Sequence, residues 1–250
     1  MIAELINKIK RKWKKLRLQP IRVFCFHEIG TVSDGSNDWM PTDQLQKMLK
    51  QMQEEGYEFI SLKKAHKHIC NDFVRTQKYA VLTADDGLKC QLELLPWLEE
   101  HKIPITLCLN VTSPKQEKCG RPYRQWYHME DEKTEKQFAK RLYISEKELE
   151  MLDANMVSYA LHGYNHDESA VEITLDELQR DIEGCIERYG QDKHFVPFYV
   201  YKYGTHNADT DEVVRRNKLV PVLSDGLWNY NDGKLIHREI LEYIYRTTCQ

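Results

Sequence analysis

Seven short apolar runs rich in β-branched and aromatic residues recur along the chain: IRVFCF (21–26), YEFISL (57–62), YAVLTA (79–84), IPITLCLN (103–110), MVSYAL (156–161), FVPFYVY (195–201) and LVPVLS (219–224). Stretches with helical spacing lie between them, among them TDQLQKMLKQMQEEG, LELLPWLEEH, SEKELEMLDAN and TLDELQRDIEGCIERYG. Several open on Thr or Ser followed by acids, side chains that satisfy the free amides at a helix start. Parallel strands need a crossover to carry the chain back, and a helix is the usual one. Repeated strand and helix units therefore restrict the fold to an α/β barrel or a doubly wound parallel sheet. Neither GxGxxG nor GxxxxGK[ST] occurs, which disfavours a nucleotide-binding sheet and makes the barrel the favoured architecture. At 250 residues, a single barrel-sized domain accounts for the length.

Two segments depart from this pattern. Residues 1–18 carry Lys8, Lys10, Arg11, Lys12, Lys14, Lys15 and Arg17 against Glu4, although the whole chain has a net charge of -3. Ile2, Leu5, Ile6, Ile9, Trp13 and Leu16 recur there at helical spacing, giving one apolar face and one basic face. Such a helix either lies on an anionic membrane surface or packs its stripe against the barrel, and the sequence leaves both open. Its charges interrupt any continuous apolar core of a signal peptide. The barrel is expected over 19–250, with a charged and aromatic insertion at about 113–141 forming one wall of a substrate groove.

The seven cysteines, Cys25, Cys70, Cys90, Cys108, Cys119, Cys185 and Cys249, are irregularly spaced and include no CxxC pair. They read as free thiols in a reducing compartment, so the expected location is the cytoplasm; if residues 1–18 lie on a membrane rather than on the barrel, the contact is peripheral at the inner membrane face. No nucleic-acid partner is expected, and the oligomeric state is left open.

Catalytic groups of parallel α/β folds collect at the carboxyl ends of the strands. There the chain offers His27 and Glu28 after the first run, Asp85, Asp86 and Gly87 after the third, His162 and His166 after the fifth, and Lys202, Tyr203 and Gly204 after the sixth. Two histidines four residues apart, with a carboxylate, can hold a divalent ion and leave a position open for water. Zinc is the first expectation, with cobalt, nickel, manganese and iron as alternatives. Adjacent acids leave an extended backbone on opposite faces, so Asp85 and Asp86 are expected to have different jobs, one binding metal and the other serving as general base. Alternatively, one acid merely caps the following helix. His27 either faces the pocket or is a satisfied core histidine.

These residues resemble the polysaccharide deacetylases, the NodB-homology group also called carbohydrate esterase family four. LTADDG (82–87) resembles that family's T-F-D-D-G motif, and LHGYNH (161–166) its H-[ST]-x-x-x-H metal motif. The likeness runs from VFCFHEIG to about Arg238. It implies a distorted (β/α) barrel and a metal-dependent hydrolase that removes acetyl groups, N-acetyl before O-acetyl, from a carbohydrate. It further implies Asp85 as general base, Asp86, His162 and His166 as metal ligands, and a backbone N–H near Tyr203 at the oxyanion.

KLIHREI matches the family in two registers, ending on His237 or on Arg238; the first, making His237 the general acid, is preferred. Asp225 and Trp228, in SDGLWNYNDG, either pair with and pack on that residue or form a turn and a core tryptophan. Three departures stand out: Ala84 replaces a bulky residue, Gly163 a Ser or Thr, and Lys202 a proline. The altered FYVYKYG segment motivates an alternative, a weakened relative that binds carbohydrate without turnover.

Overall fold

The computed structural model describes residues 18–31, 37–113 and 143–248. Nearly all of the basic amphipathic segment and of the insertion lies outside those residues. The elements, in order, are β1 (Ile21–Phe26), β2 (Glu28–Gly30), β3 (Trp39–Pro41), α1 (Thr42–Glu54), β4 (Tyr57–Phe59), α2 (Leu62–Asn71), β5 (Lys78–Ala84) and α3 (Gln91–Glu100). There follow β6 (Ile105–Leu109), α4 (Glu146–Glu150), β7 (Val157–Leu161), α5 (Leu175–Tyr189), β8 (Phe195–Val200), α6 (Ala208–Arg216), β9 (Val220–Leu223), β10 (Ile236–His237), β11 (Glu239–Ile240) and α7 (Leu241–Thr248).

The large sheet has the order β10, β9, β8, β7, β6, β5, β1, β11, with β4 also on β5. Its pairings are all parallel. β10 and β11 are two halves of one short segment, broken at Arg238. Ile236 and His237 pair with β9, and Glu239 and Ile240 pair with β1, so this broken strand joins the sheet's two ends into a nearly closed barrel. β4 shares an edge of β5 with β6, taking Lys78 to Ala80 while β6 takes Leu82 to Ala84. This is the distorted barrel the resemblance implies. Among the described residues, no helix is long and apolar enough to cross a membrane.

Strand alternation sorts the core into two layers. On β1, β5, β7 and β8 one parity (Val23, Val81, Ala160, Phe198) packs into one cluster, and the other (Phe24, Leu82, Leu161, Tyr199) packs into a second. The second also holds Leu45 and Leu49 of α1, Leu94 and Leu98 of α3, and Leu178 and Ile182 of α5, which makes it the layer between barrel and helices. The first is the barrel interior, into which Leu62, Ala65 and Ile69 of α2 also pack. Each fully buried aliphatic side chain in either layer contributes about 1.5–3 kcal/mol.

Two helix starts follow the Ser and Thr caps visible in the sequence, whereas α1 begins at Thr42 after Pro41 with no side-chain cap. Ser145 and Thr174 each accept from the backbone N–H three residues on, and Glu148 and Glu177 return the bond, fixing α4 and α5. Of the two, α5 bears on the site, because its Asp181 accepts the backbone N–H of Tyr164 in the loop that carries the two histidines.

Candidate active site

The interior parity continues past the strand ends. Cys25 and His27 follow Val23, Thr83 and Asp85 follow Val81, His162 follows Ala160, and Arg238 follows Ile236. At this rim the apolar interior gives way to polar groups. Asp85 is 3% exposed and Arg238 is fully buried. The guanidinium donates to both carboxylate oxygens, Nη1 at 2.6 Å and Nη2 at 2.8 Å. It also donates to Thr83 Oγ1 and Ser224 Oγ. Burial alone would push the Asp85 carboxyl up, but the charge of Arg238 holds it well below the usual carboxylate range. Asp85 is thus ionised and held in a planar, two-point grip.

Asp86 would point away from Asp85 on an extended strand. It leaves the strand instead in the left-handed region, at φ 70°, a conformation that Asp tolerates better than most side chains. Gly87 follows at φ 65°, where an added Cβ would stand 2.7 Å from Leu109 Cδ2. The turn swings the Asp86 carboxylate across the rim, where Oδ1 lies 3.3 Å from His162 Nε2 and 3.2 Å from His166 Nε2. Single ligand atoms from these three residues lie within 4.8 Å of one another.

The details of this trio fit a cation better than a hydrogen-bonded cluster. His162 Nδ1 lies 2.9 Å from the carbonyl oxygen of Val200, so that nitrogen carries the proton and Nε2 turns a lone pair toward Asp86. Burial, first of all, pushes the His166 imidazole below its ordinary range, favouring its neutral, ligating form. Asp86 Oδ1 is buried and accepts no hydrogen bond despite the two nearby nitrogens. Three inward-facing acceptors around one point are the arrangement that a divalent ion satisfies.

On the other side of Asp85 stands His27, with Nε2 3.8 Å from Asp85 Oδ2. Its backbone N–H donates to Glu242 Oε1 at 2.6 Å, and its Nδ1 lies 3.3 Å from the same oxygen. Glu242 is fully buried at the start of α7. Burial disfavours the imidazolium, but Glu242 and Asp85 outweigh it and push the His27 pKa up to about 10. Gln91 Nε2 donates to the carbonyls of both His27 and Asp85, at 2.9 and 2.6 Å, tying the two strand ends together.

The remaining candidates are distributed unevenly. Tyr203 lies against His166, its ring 4.9 Å from the imidazole and its hydroxyl donating to the His166 carbonyl at 3.0 Å. His237 stands in register with Leu223, which belongs to the outer layer, and its Nδ1 lies 2.7 Å from Asp225 Oδ2. Trp228 is half exposed, with the Arg22 guanidinium over its ring at 5.5 Å. Of the two registers of KLIHREI, the one ending on Arg238 meets Asp85. Sequence reasoning did not find Glu242 or Gln91; neither lies in a motif, and each is recognisable only once the strand ends are in place.

The model of the polysaccharide deacetylase family matches residues 74–222, more than half of the chain. The chain belongs to the polysaccharide deacetylase family. The family match spans Asp85, Asp86, His162, His166 and Tyr203; His27, Arg238 and Glu242 lie outside it. Among solved structures, IcaB from Ammonifex degensii superposes with a TM-score of 0.68 at 17% identity, covering 90% of this chain and 92% of that one. The Streptococcus pyogenes deacetylase PplD, solved in complex with acetate, gives 0.67 at 17% identity, with 89% and 92% covered. The deacetylase domain of BpsB from Bordetella bronchiseptica gives 0.63 at 15% identity, with 88% and 95% covered. At such identities the likeness is one of fold. No curated protein matches the chain.

Proposed function

We propose that this chain is a metal-dependent deacetylase that hydrolyses acetyl groups, N-acetyl before O-acetyl, on a carbohydrate. One observation carries the reading: the ligand atoms of Asp86, His162 and His166 converge at the barrel rim, with the Asp85 carboxylate and the His27 imidazole standing beside them. Those three residues would hold the ion, zinc in the first place. When bound, it would supply Lewis acidity, polarising the acyl carbonyl and acidifying water.

The other steps fall to the chain's own groups. Asp85 takes the proton of the attacking water, and Arg238 keeps both its oxygens aligned through that transfer. His27, with Nδ1 fixed on Glu242, presents Nε2 to the site and donates a proton to the departing nitrogen. An amine leaves only when protonated, which suits this cationic imidazole and favours the N-acetyl substrate. The general-acid role expected of His237 passes to His27 in this reading, because His237 faces outward onto Asp225. Location in the cytoplasm and contact of residues 1–18 with an anionic membrane remain parts of the proposal.

The test is acetate release from N-acetylated glucosamine oligosaccharides and from O-acetylated counterparts, with added zinc or cobalt. Release from the N-acetylated series, lost in Asp85→Asn while metal stays bound, is expected. Bound metal with no acetate from either series would overturn the enzyme reading and leave a carbohydrate-binding barrel.

A further inference from the structure

The two unusual residues of the motifs, Gly163 and Lys202, meet in the structure. Lys202 is 2% exposed. Its Nζ donates to the carbonyl of Asn165 at 3.0 Å and lies 3.6 Å from Asp181 Oδ1. Asp181, on α5, accepts the backbone N–H of Tyr164 on the same Oδ1 at 3.1 Å, and its Oδ2 takes the Tyr199 hydroxyl at 3.3 Å. Gly163 sits at φ 90°, and a Cβ there would lie 3.0 Å from both Cε and Nζ of Lys202. The ring of Tyr164 rests on Gly184 of α5, where an added Cβ would come within 2.6 Å of it.

Each of the three residues between His162 and His166 is therefore engaged by one ion pair or its helix. Gly163 makes room for the lysine stem, Tyr164 gives its N–H to Asp181, and Asn165 gives its carbonyl to Lys202. A side chain at 163 and a lysine at 202 would compete for one space, so the two departures compensate each other.

We propose that Lys202, paired with Asp181, is a positioning residue that holds the 163–165 segment and through it sets His166 against Asp86. The inference rests on reading Asp86, His162 and His166 as cation ligands. A buried ammonium suits the task because it is a compact donor that binds a carbonyl and a carboxylate together. Loss of such an outer support around a metal site weakens metal affinity by about 10–100-fold.

The experiment compares full-length wild type, Lys202→Met and the double variant Lys202→Met with Asp181→Asn, which strands no buried charge if the single variant folds poorly. Amide hydrogen exchange at Tyr164 and Asn165 is followed in metal-free protein, and cobalt(II) affinity is measured by chelator competition with the visible spectrum. Faster exchange confined to this segment and cobalt binding weakened at least about tenfold are expected. Wild-type exchange rates and cobalt affinity in a folded variant would overturn the role of Lys202. Cobalt binding that His166→Ala leaves unchanged would instead count against the metal reading of the site, and the exchange rates alone would then decide the role of Lys202.

Discussion

Arg238 and Asp85 show how much one residue's direction decides. A fully buried carboxylate without a partner is costly, and breaking such a pair by removing one member costs about 3–5 kcal/mol. Arg238→Met should therefore lower stability in urea unfolding by about that amount, and it should raise the Asp85 pKa, moving the acidic limb of the pH–activity profile upward. Asp85 is depressed in the folded protein, so its contribution is present above the ordinary carboxylate range and is lost as pH falls. His27 runs the opposite way. Its pKa rises from 6.5 to about 10, so its contribution is complete below 6.5 and fades as pH climbs toward 10. Urea melts of the metal-free protein should lose stability across that window in wild type and much less in His27→Gln; equal losses would contradict the cationic His27. The sequence showed Asp85, Asp86, His162 and His166, because their spacing after strands is a local signal. Its preference for His237 over Arg238 had no local signal to rest on, since that choice depends on strand parity and neither half of the broken strand exceeds two residues.

At the scale of elements, all seven apolar runs form strands, and the capped helical stretches form helices where expected. YEFISL is strand only from Tyr57 to Phe59, because Ser61 caps α2 and turns Leu62 into a helix start. The closing strand was invisible in the sequence, having no apolar run of its own. The strand-to-site transition rests on the Asp86–Gly87 turn. Gly87→Ala must hold a side chain at φ 65° against Leu109, a conformation that costs about 1–3 kcal/mol in a non-glycine residue. Its thermal unfolding midpoint should fall accordingly, and its cobalt affinity should fall with it because Asp86 hangs on the same turn. A variant with unchanged midpoint and affinity would show that the turn does not set the ligand.

For the whole molecule, barrel closure brings together groups far apart in sequence: His27 from β1, the acids from β5, the histidines from β7, Lys202 from β8 and Arg238 from the closing strand. Barrel architecture was legible from the alternation of strands and helices, whereas the supports around the site are tertiary contacts: Arg238 and Glu242 come with the closing strand, Gln91 joins the ends of β1 and β5, and Lys202 pairs with Asp181 of α5. An ion that binds only the folded barrel must also stabilise it, by about 2.7 kcal/mol at a hundredfold excess over the dissociation constant. The unfolding midpoint should thus rise with zinc in wild type and stay flat in His166→Ala. The most direct measurement is acetate released from an N-acetylated glucosamine oligosaccharide by one preparation in three states: metal-free, zinc-restored, and zinc-restored His166→Ala. Turnover in the second state alone is the expected result. Equal acetate release in all three, or none in any while zinc occupies the wild-type site, would contradict a metal-dependent deacetylase built on Asp86, His162 and His166.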